Sequence, residues 1–370
     1  MEWGYGNMKI GIDISQIVYG TGVSKYTKNL VDALLEIDQK NEYVLFGGSL
    51  RKIGELQKYH PAKSTLKVFP LSPTMADFLW NRLHKFPIEN FVGKIDVFHA
   101  SDWTQPPARE ATLVTTIHDL VPILFPDSSH PKIVAAHQRR LTWVKKEADM
   151  IIAVSEATKK DIIEHLGIPE QKIAVVYEAS DSSVKKMGEV AIGELKKKYQ
   201  LPKEYLLTVG VNPRKNIDRI IQAVAKIKDG PPLVVVGRRW AKAVRSTSTG
   251  QGKVIHLGHI GDDREFSTIL SGASALVYAS LYEGFGLPIL DAFTCEVPVV
   301  TSNLSSMAEI AKNAAVLVNP YEIDDIEKGI EEALDKRKDL IKKGLMRVKQ
   351  FSWEKAARET LNVYEEVVRK

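Results

Sequence analysis

The chain has 370 residues, 44% hydrophobic and 26% charged, with 51 Lys and Arg against 46 Asp and Glu. That length exceeds what one core usually supports, so two domains are expected, and the mixed composition excludes a disordered chain. The net charge of +5 is a mild attraction for anions; without zinc-finger spacing, an RNP motif or basic-aromatic alternation it is no nucleic-acid signature.

The stretch Met1 to Asn7 lacks the continuous apolar core of a signal peptide and reads as a vector remnant or an alternative start before Met8. No apolar run is long enough to span a bilayer, and the single Cys295 rules out an internal disulfide, so a cytoplasmic location is expected, with peripheral contact at a membrane surface left open.

From Lys9 short apolar runs alternate with helical patterns: a strand at Ile10 to Ile14, a Gly20-Thr-Gly22 loop, then a helix through Tyr26, Leu30, Leu34 and Leu35. Further strands are expected at Tyr43 to Phe46, Val97 to His99, Leu113 to Ile117, Met150 to Val154 and Lys172 to Val176, with Ser155 capping the next helix. Thr74 to Phe86 interleaves aromatic and basic residues and reads either as a helix with one buried face or as a surface that docks a membrane or a lipid-linked sugar. Ala179 to Glu189 has little apolar pattern and is the expected linker. Strands then resume at Tyr205 to Val209, Leu233 to Val236, Val254 to Leu257, Ala275 to Ala279, Val297 to Thr301 and Ala315 to Val318, before a final amphipathic helix, Trp353 to Lys370. The pattern implies two Rossmann-like halves, whose ligands bind beyond the carboxyl ends of the strands.

The nine residues Glu283-Gly-Phe-Gly-Leu-Pro-Ile-Leu-Asp291 lie between two such strands. Gly284 and Gly286 permit close backbone approach, and Pro288 suits the first helical position, which places Asp291 in the first turn. Helix-start amides favour a phosphate, whereas two nearby carboxylates favour hydroxyls; together they point to a sugar nucleotide. At the end of the first strand of the second half, Gly210-Val-Asn-Pro-Arg-Lys-Asn216 supplies Arg214 and Lys215, cations able to neutralise a leaving diphosphate. His118 follows Ile117 at a strand end of the first half, where it can bond a transferred sugar, and Gly20 and Gly22 complete that floor. The three-glycine dinucleotide fingerprint, the Walker loop, a His-Glu-x-x-His pair and an Asp-x-Asp triplet are all missing, so neither NAD, nor ATP at a phosphate loop, nor a required metal is indicated.

Taken together, Gly20-x-Gly22 with Tyr26, Ile117-His-Asp-Leu120, Val154-Ser-Glu156, Pro213-Arg-Lys-Asn216, Leu257-Gly258, Ser280-Leu-Tyr-Glu-Gly-Phe-Gly-Leu-Pro288, Pro298-Val-Val300 and Phe351-Ser-Trp353 resemble the family 4 glycosyltransferases, a retaining, glycogen-synthase-like group. The resemblance covers nearly the whole chain from Met8. It implies a GT-B fold of α/β class, with two Rossmann-like domains facing across a cleft: an acceptor domain over 8–180, a nucleotide-sugar domain over 190–350, and a C-terminal helix, 351–370, packing back on the first domain.

It also implies transfer of a sugar, mannose being favoured, from a GDP- or UDP-linked donor to a glycan or lipid-linked acceptor, with no cofactor, metal or nucleic-acid partner. By the same resemblance Glu283 holds donor-sugar hydroxyls, Asp291 replaces the usual glutamate at the ribose, and Lys215 with Arg214 holds the diphosphate. Phe285, Gly286 and Leu287 present amides, His118 contacts the donor sugar, and Leu257-Gly258-His-Ile260 receives the base. Three positions depart from the family pattern: Val211 stands where many members have Arg, Asp291 is one methylene short, and Glu296 replaces a common glycine. These departures motivate the alternative of a catalytically weak sugar-nucleotide-binding protein; a GT-B sugar-nucleotide epimerase is a second enzyme alternative.

Overall fold

The computed structural model describes residues 7–237 and 254–369; the Met1 to Gly6 part of the expected start region lies outside the described residues. The chain divides into two units, Met1–Glu178 with Trp353–Lys370, and Ala179–Ser352.

The first unit holds β1 Lys9–Asp13, β2 Glu42–Gly48, β3 Ser64–Phe69, β4 Val97–Ala100, β5 Thr112–Ile117, β6 Met150–Ala153 and β7 Ile173–Val175. Among the described residues they form one sheet ordered β3-β2-β1-β4-β5-β6-β7, and every pairing is parallel. The inner strands are buried along most of their length, as parallel strands covered on both faces must be, which is why they read as apolar runs. Gly11 lets β1 pack tightly: a Cβ there would sit 2.8 Å from the Phe98 ring and 2.9 Å from Ile95 Cδ1. Strand β3 was not expected. Its Ser64-Thr-Leu-Lys-Val-Phe69 mixes polar with apolar residues and is partly exposed along its length, as an edge strand can be.

The second unit holds β8 Leu206–Val209, β9 Leu233–Val236, β10 Val254–Gly258, β11 Ala275–Tyr278, β12 Val299–Ser302 and β13 Val316–Val318. Their order is β10-β9-β8-β11-β12-β13, again parallel. Helix Ile217–Lys226 and helix Ile323–Asp335 cover this sheet through Ile220, Val224, Ile326 and Ile330, which share a core with Leu206, Val277 and Val300. In each unit the chain leaves a central strand, fills one side, then returns to the other. The reversals fall between β1 and β4 and between β8 and β11, the places where doubly wound sheets open a crevice for ligands.

Helix Gly22–Ile37 begins with a reciprocal cap between Thr21 and Ser24. Helix Trp353–Arg369 buries Ala356, Thr360, Val363, Tyr364 and Val367 at helical spacing and packs on helix Gly22–Ile37. Its Tyr364 hydroxyl lies 2.6 Å from His99 Nδ1 on β4, and the Trp353 ring lies 5.8 Å from Tyr26. The boundary between the units falls at Glu178/Ala179, where the stretch expected as a linker begins, and that stretch packs on the second unit. Val184 and Met187 are buried, and the Met187 N–H donates to Ser271 Oγ at 3.0 Å. Thr74 to Phe86 lies in a turn of helix, Pro73–Ala76, continued by a wider π-type turn, Asp77–Arg82, and the residues after it. Trp80 is buried there, while Met75, Phe78, Leu83 and Phe86 are exposed. Among the described residues, no helix is long and apolar enough to cross a membrane.

Candidate active site

Two loops at the reversal of the second sheet build the main cluster. Gly210 follows β8 with φ +89° and donates its N–H to Val236 O at 2.8 Å, turning the chain into the short 3-10 turn Pro213–Lys215. Asn216 closes that turn at φ +59°, and its amide nitrogen donates to Ala279 O at 3.0 Å and Pro320 O at 2.6 Å. The loop after β11 is tied to it where the Leu281 N–H donates to Arg214 O at 2.8 Å. The hydroxyls of Ser305 and Ser306 donate to Glu283 O at 2.7 and 2.8 Å, which holds the acid's backbone from the other side.

On this frame Glu283, only 6% exposed, receives Arg214 Nη1 on Oε2 at 2.5 Å and Lys215 Nζ on Oε1 at 2.6 Å. Lys215 Nζ also donates to the Tyr278 hydroxyl at 2.5 Å. Burial pushes the Glu283 carboxyl up, but the charges and hydrogen bonds of Arg214 and Lys215 outweigh it and hold the group down at about 2. Burial and the Glu283 charge push the Tyr278 phenol well above its usual range. Two cations against one carboxylate leave an excess positive charge in a poorly solvated pocket, an arrangement that favours an arriving anion. Separate duties are expected from the sequence for Glu283 and for the cations; in this structure they are partners.

Gly210 gives this cluster a direct test. A Cβ there would lie 2.9 Å from Lys215 Cε and 3.0 Å from its Cγ, at a φ of +89° that L-residues rarely adopt. Gly210→Ala is expected to push Lys215 off Glu283, to cost roughly 1–2 kcal/mol in backbone strain, and to lower activity at least about tenfold. Wild-type kinetics in that variant would contradict the placement of Lys215.

Downstream of Glu283, helix Leu287–Thr294 starts one residue earlier than expected, behind Gly286 at φ +104°, so Pro288 takes its second position. Asp291 accordingly falls beyond the first turn, a correction to the sequence reading, and accepts the Ser180 hydroxyl at 2.6 Å. Phe285 is buried with its ring 6.0 Å from Phe351, and Gly284, Gly286 and Leu287 continue the loop into the helix. Gly258 ends β10 at φ +70° and accepts the Gly237 N–H at 2.8 Å. Glu296 sits at φ +59°, the left-handed geometry for which glycine is the easy choice.

In the first unit His118 follows β5 and is half-buried against the Tyr26 ring, 4.5 Å away at 87°. Its Nδ1 lies 2.9 Å from Glu178 Oε1. Gly20, at φ +67°, and Gly22 are exposed, and no atom lies within 4 Å of where their Cβ atoms would be. Glu178, Tyr278 and Ser180 escaped the sequence reading: Tyr278 passes for a core strand residue, and the other two lie in or beside the stretch without apolar pattern. Among the described residues one metal-ligand grouping occurs, Asp161 with Glu164 and His165 on a helix surface, and it includes none of the residues above.

Two family models match, "Glycosyltransferase Family 4" over residues 20–183 and "Glycosyl transferases group 1" over residues 192–347. An O-antigen chain mannosyltransferase B of Escherichia coli is 29% identical over 96% of this chain and 99% of its own length. Among solved structures, a sucrose-phosphate synthase from Thermosynechococcus elongatus superposes with a TM-score of 0.71 at 16% identity, covering 98% of this chain and 99% of its own. An Anabaena protein, HepE, in complex with UDP and glucose superposes with a TM-score of 0.67 at 16% identity, covering 97% of this chain and 100% of its own. The two parallel-sheet units share the GT-B fold of these neighbours.

Proposed function

The chain belongs to the family 4 glycosyltransferases, and from that premise we propose that it moves mannose from a nucleotide diphosphate donor to a hydroxyl of a glycan or lipid-linked acceptor, with retention. The observation that carries the donor half is the Arg214–Lys215 pair closed on buried Glu283 at the sheet reversal. A donor diphosphate would take over the two cations, freeing the Glu283 carboxylate to accept sugar hydroxyls. The sugar C1–oxygen bond to the diphosphate breaks, the acceptor oxygen bonds C1 from the same face, and its proton passes to the departing diphosphate oxygen. Arg214 and Lys215 stabilise the charge that builds on the leaving group, a role mutagenesis elsewhere values at about 3 kcal/mol per donor. No protein nucleophile or bound metal is assigned. His118 contacts the transferred sugar, Asp291 the ribose, and the loop at Gly258 the base.

Mannose is favoured by the likeness to an O-antigen mannosyltransferase, and a nucleotide donor by the UDP bound to the Anabaena neighbour. Melting the protein with GDP-mannose, UDP-glucose and related donors tests both. A donor at about 100 times its Kd stabilises by about 2.7 kcal/mol, so a rise of roughly 5–10 °C is expected with GDP-mannose, and no rise with any nucleotide sugar would sink the reading. Donor consumed without acceptor, yielding an epimer, would reassign the reaction.

Peripheral membrane contact belongs to the same reading. Exposed Met75, Phe78, Leu83 and Phe86 lie in one short segment with Arg82 and Lys85, the pairing of apolar anchors with cations that suits an anionic lipid surface. The protein is expected to float with phosphatidylglycerol liposomes and Phe78→Glu to stay at the bottom of the gradient; equal recovery of both would exclude this segment.

A further inference from the structure

His118 and buried Glu178 form a pair for which the transfer step above gives Glu178 no duty. Their side chains are 12% and 5% exposed, with Nδ1 2.9 Å from Oε1. Glu178 closes the N-terminal stretch of the first unit, 60 positions from His118, so the contact is built by the fold and not by local sequence. The imidazole also packs perpendicular to the Tyr26 ring, whose hydroxyl lies 3.1 Å from Thr116 Oγ1. Thr116 Oγ1 is in turn 2.8 Å from His99 Nε2, and His99 Nδ1 is 2.6 Å from the Tyr364 hydroxyl. The ring is therefore gripped by a carboxylate at Nδ1 and by an aromatic wall that is itself anchored in the C-terminal helix.

We propose that Glu178 is a positioning residue for sugar transfer, orienting the His118 ring and keeping a proton on Nδ1 so that Nε2 is the atom presented to the donor sugar. The proposal rests on the reading that His118 contacts that sugar. A buried carboxylate on the far nitrogen of an imidazole fixes its tautomer and stabilises its charged form, and a histidine so held loses both when the carboxylate is neutralised. The charged and titratable groups facing His118 are Glu178, Asp102 and Asp119, with His99 and Tyr26 close by. Burial pushes the His118 imidazole down, but the hydrogen bond and charge of Glu178, helped by Asp102 and Asp119, raise it overall. His99 responds oppositely: burial, with the charges of His118 and Arg140, takes it to about 3, so it stays neutral.

The test uses the full-length protein with 13C-labelled histidine, the His118 resonance being assigned from His118→Gln. In Glu178→Gln, which keeps size and polarity but removes the charge, the His118 titration midpoint is expected to fall. Transfer is expected to drop about tenfold or more, with the donor KM within about twofold and the His118 limb of the pH profile moved to lower pH. Glu178→Asp, retaining the charge, should recover part of the midpoint and serves if Glu178→Gln folds poorly. An unchanged midpoint overturns the proposal. A lowered midpoint with unchanged transfer also overturns it; if His118→Gln then transfers normally too, the failure lies in the assignment of His118 to the donor sugar.

Discussion

Replacing Lys215 with alanine is expected to lower kcat/KM for transfer about 100- to 1,000-fold while leaving the fold nearly as stable as before. The reasoning starts from what the ammonium touches: Glu283 Oε1 at 2.6 Å and the Tyr278 hydroxyl at 2.5 Å, in a pocket where its side chain is only 13% exposed. With the lysine gone, Glu283 keeps Arg214 at 2.5 Å, so no buried charge is left without a partner. The departing diphosphate, however, loses one of two cations in a site that excludes most water, where such a group contributes about 3–4 kcal/mol to the transition state. Steady-state transfer kinetics beside a melting curve check it; near-normal kinetics would remove Lys215 from the mechanism.

Glu283→Gln should behave differently, losing both activity and stability. The amide leaves Arg214 and Lys215 facing each other, 14% and 13% exposed, without their counter-charge. Breaking a buried pair in this way typically costs about 3–5 kcal/mol, which for a unit of this size is roughly 10 °C in melting temperature. The pH dependence follows with a definite sign. The carboxyl is held at about 2 in the folded chain against an ordinary value of 4.5, so its stabilisation is fully present above 4.5 and is lost as pH falls toward 2. That shift corresponds to about 3 kcal/mol, and the stability gap between wild type and Glu283→Gln should narrow by about this amount on acidification between those limits. Denaturant titrations at pH 7 and pH 3 measure the gap, of which about 2 kcal/mol should close by pH 3. A gap that stays constant would mean the carboxylate is not paired as the structure shows.

These expectations separate what was legible in the sequence from what was not. The strands were most legible where both faces are covered and the residues form apolar runs, as in β6, β8, β9 and β11. Edge strand β3 escaped, since a half-exposed strand carries Ser64, Thr65 and Lys67 among its apolar residues and resembles a loop. Arg214, Lys215 and Glu283 were legible as candidates because each follows a strand end, where α/β sheets place ligands. Their joining was not: the ion pairs span 68 and 69 positions, and no periodicity encodes such a distance. Asp291 shows a subtler failure. Pro288 suits the first helical position so well that the start was read one residue late, which moved the acid into the first turn on paper and away from it in the structure. Glu178 and Ser180 lie at the edge of a stretch whose weak pattern suggested a linker, yet their side chains hold His118 and Asp291.

Everything proposed for the donor depends on the diphosphate replacing Glu283 as the partner of Arg214 and Lys215. Calorimetric titration of GDP into the wild-type chain and into Lys215→Ala at low ionic strength tests that most directly. The account expects saturable wild-type binding and at least about tenfold weaker binding in the variant, with the difference shrinking as salt is added. Equal affinities across the salt range would contradict it.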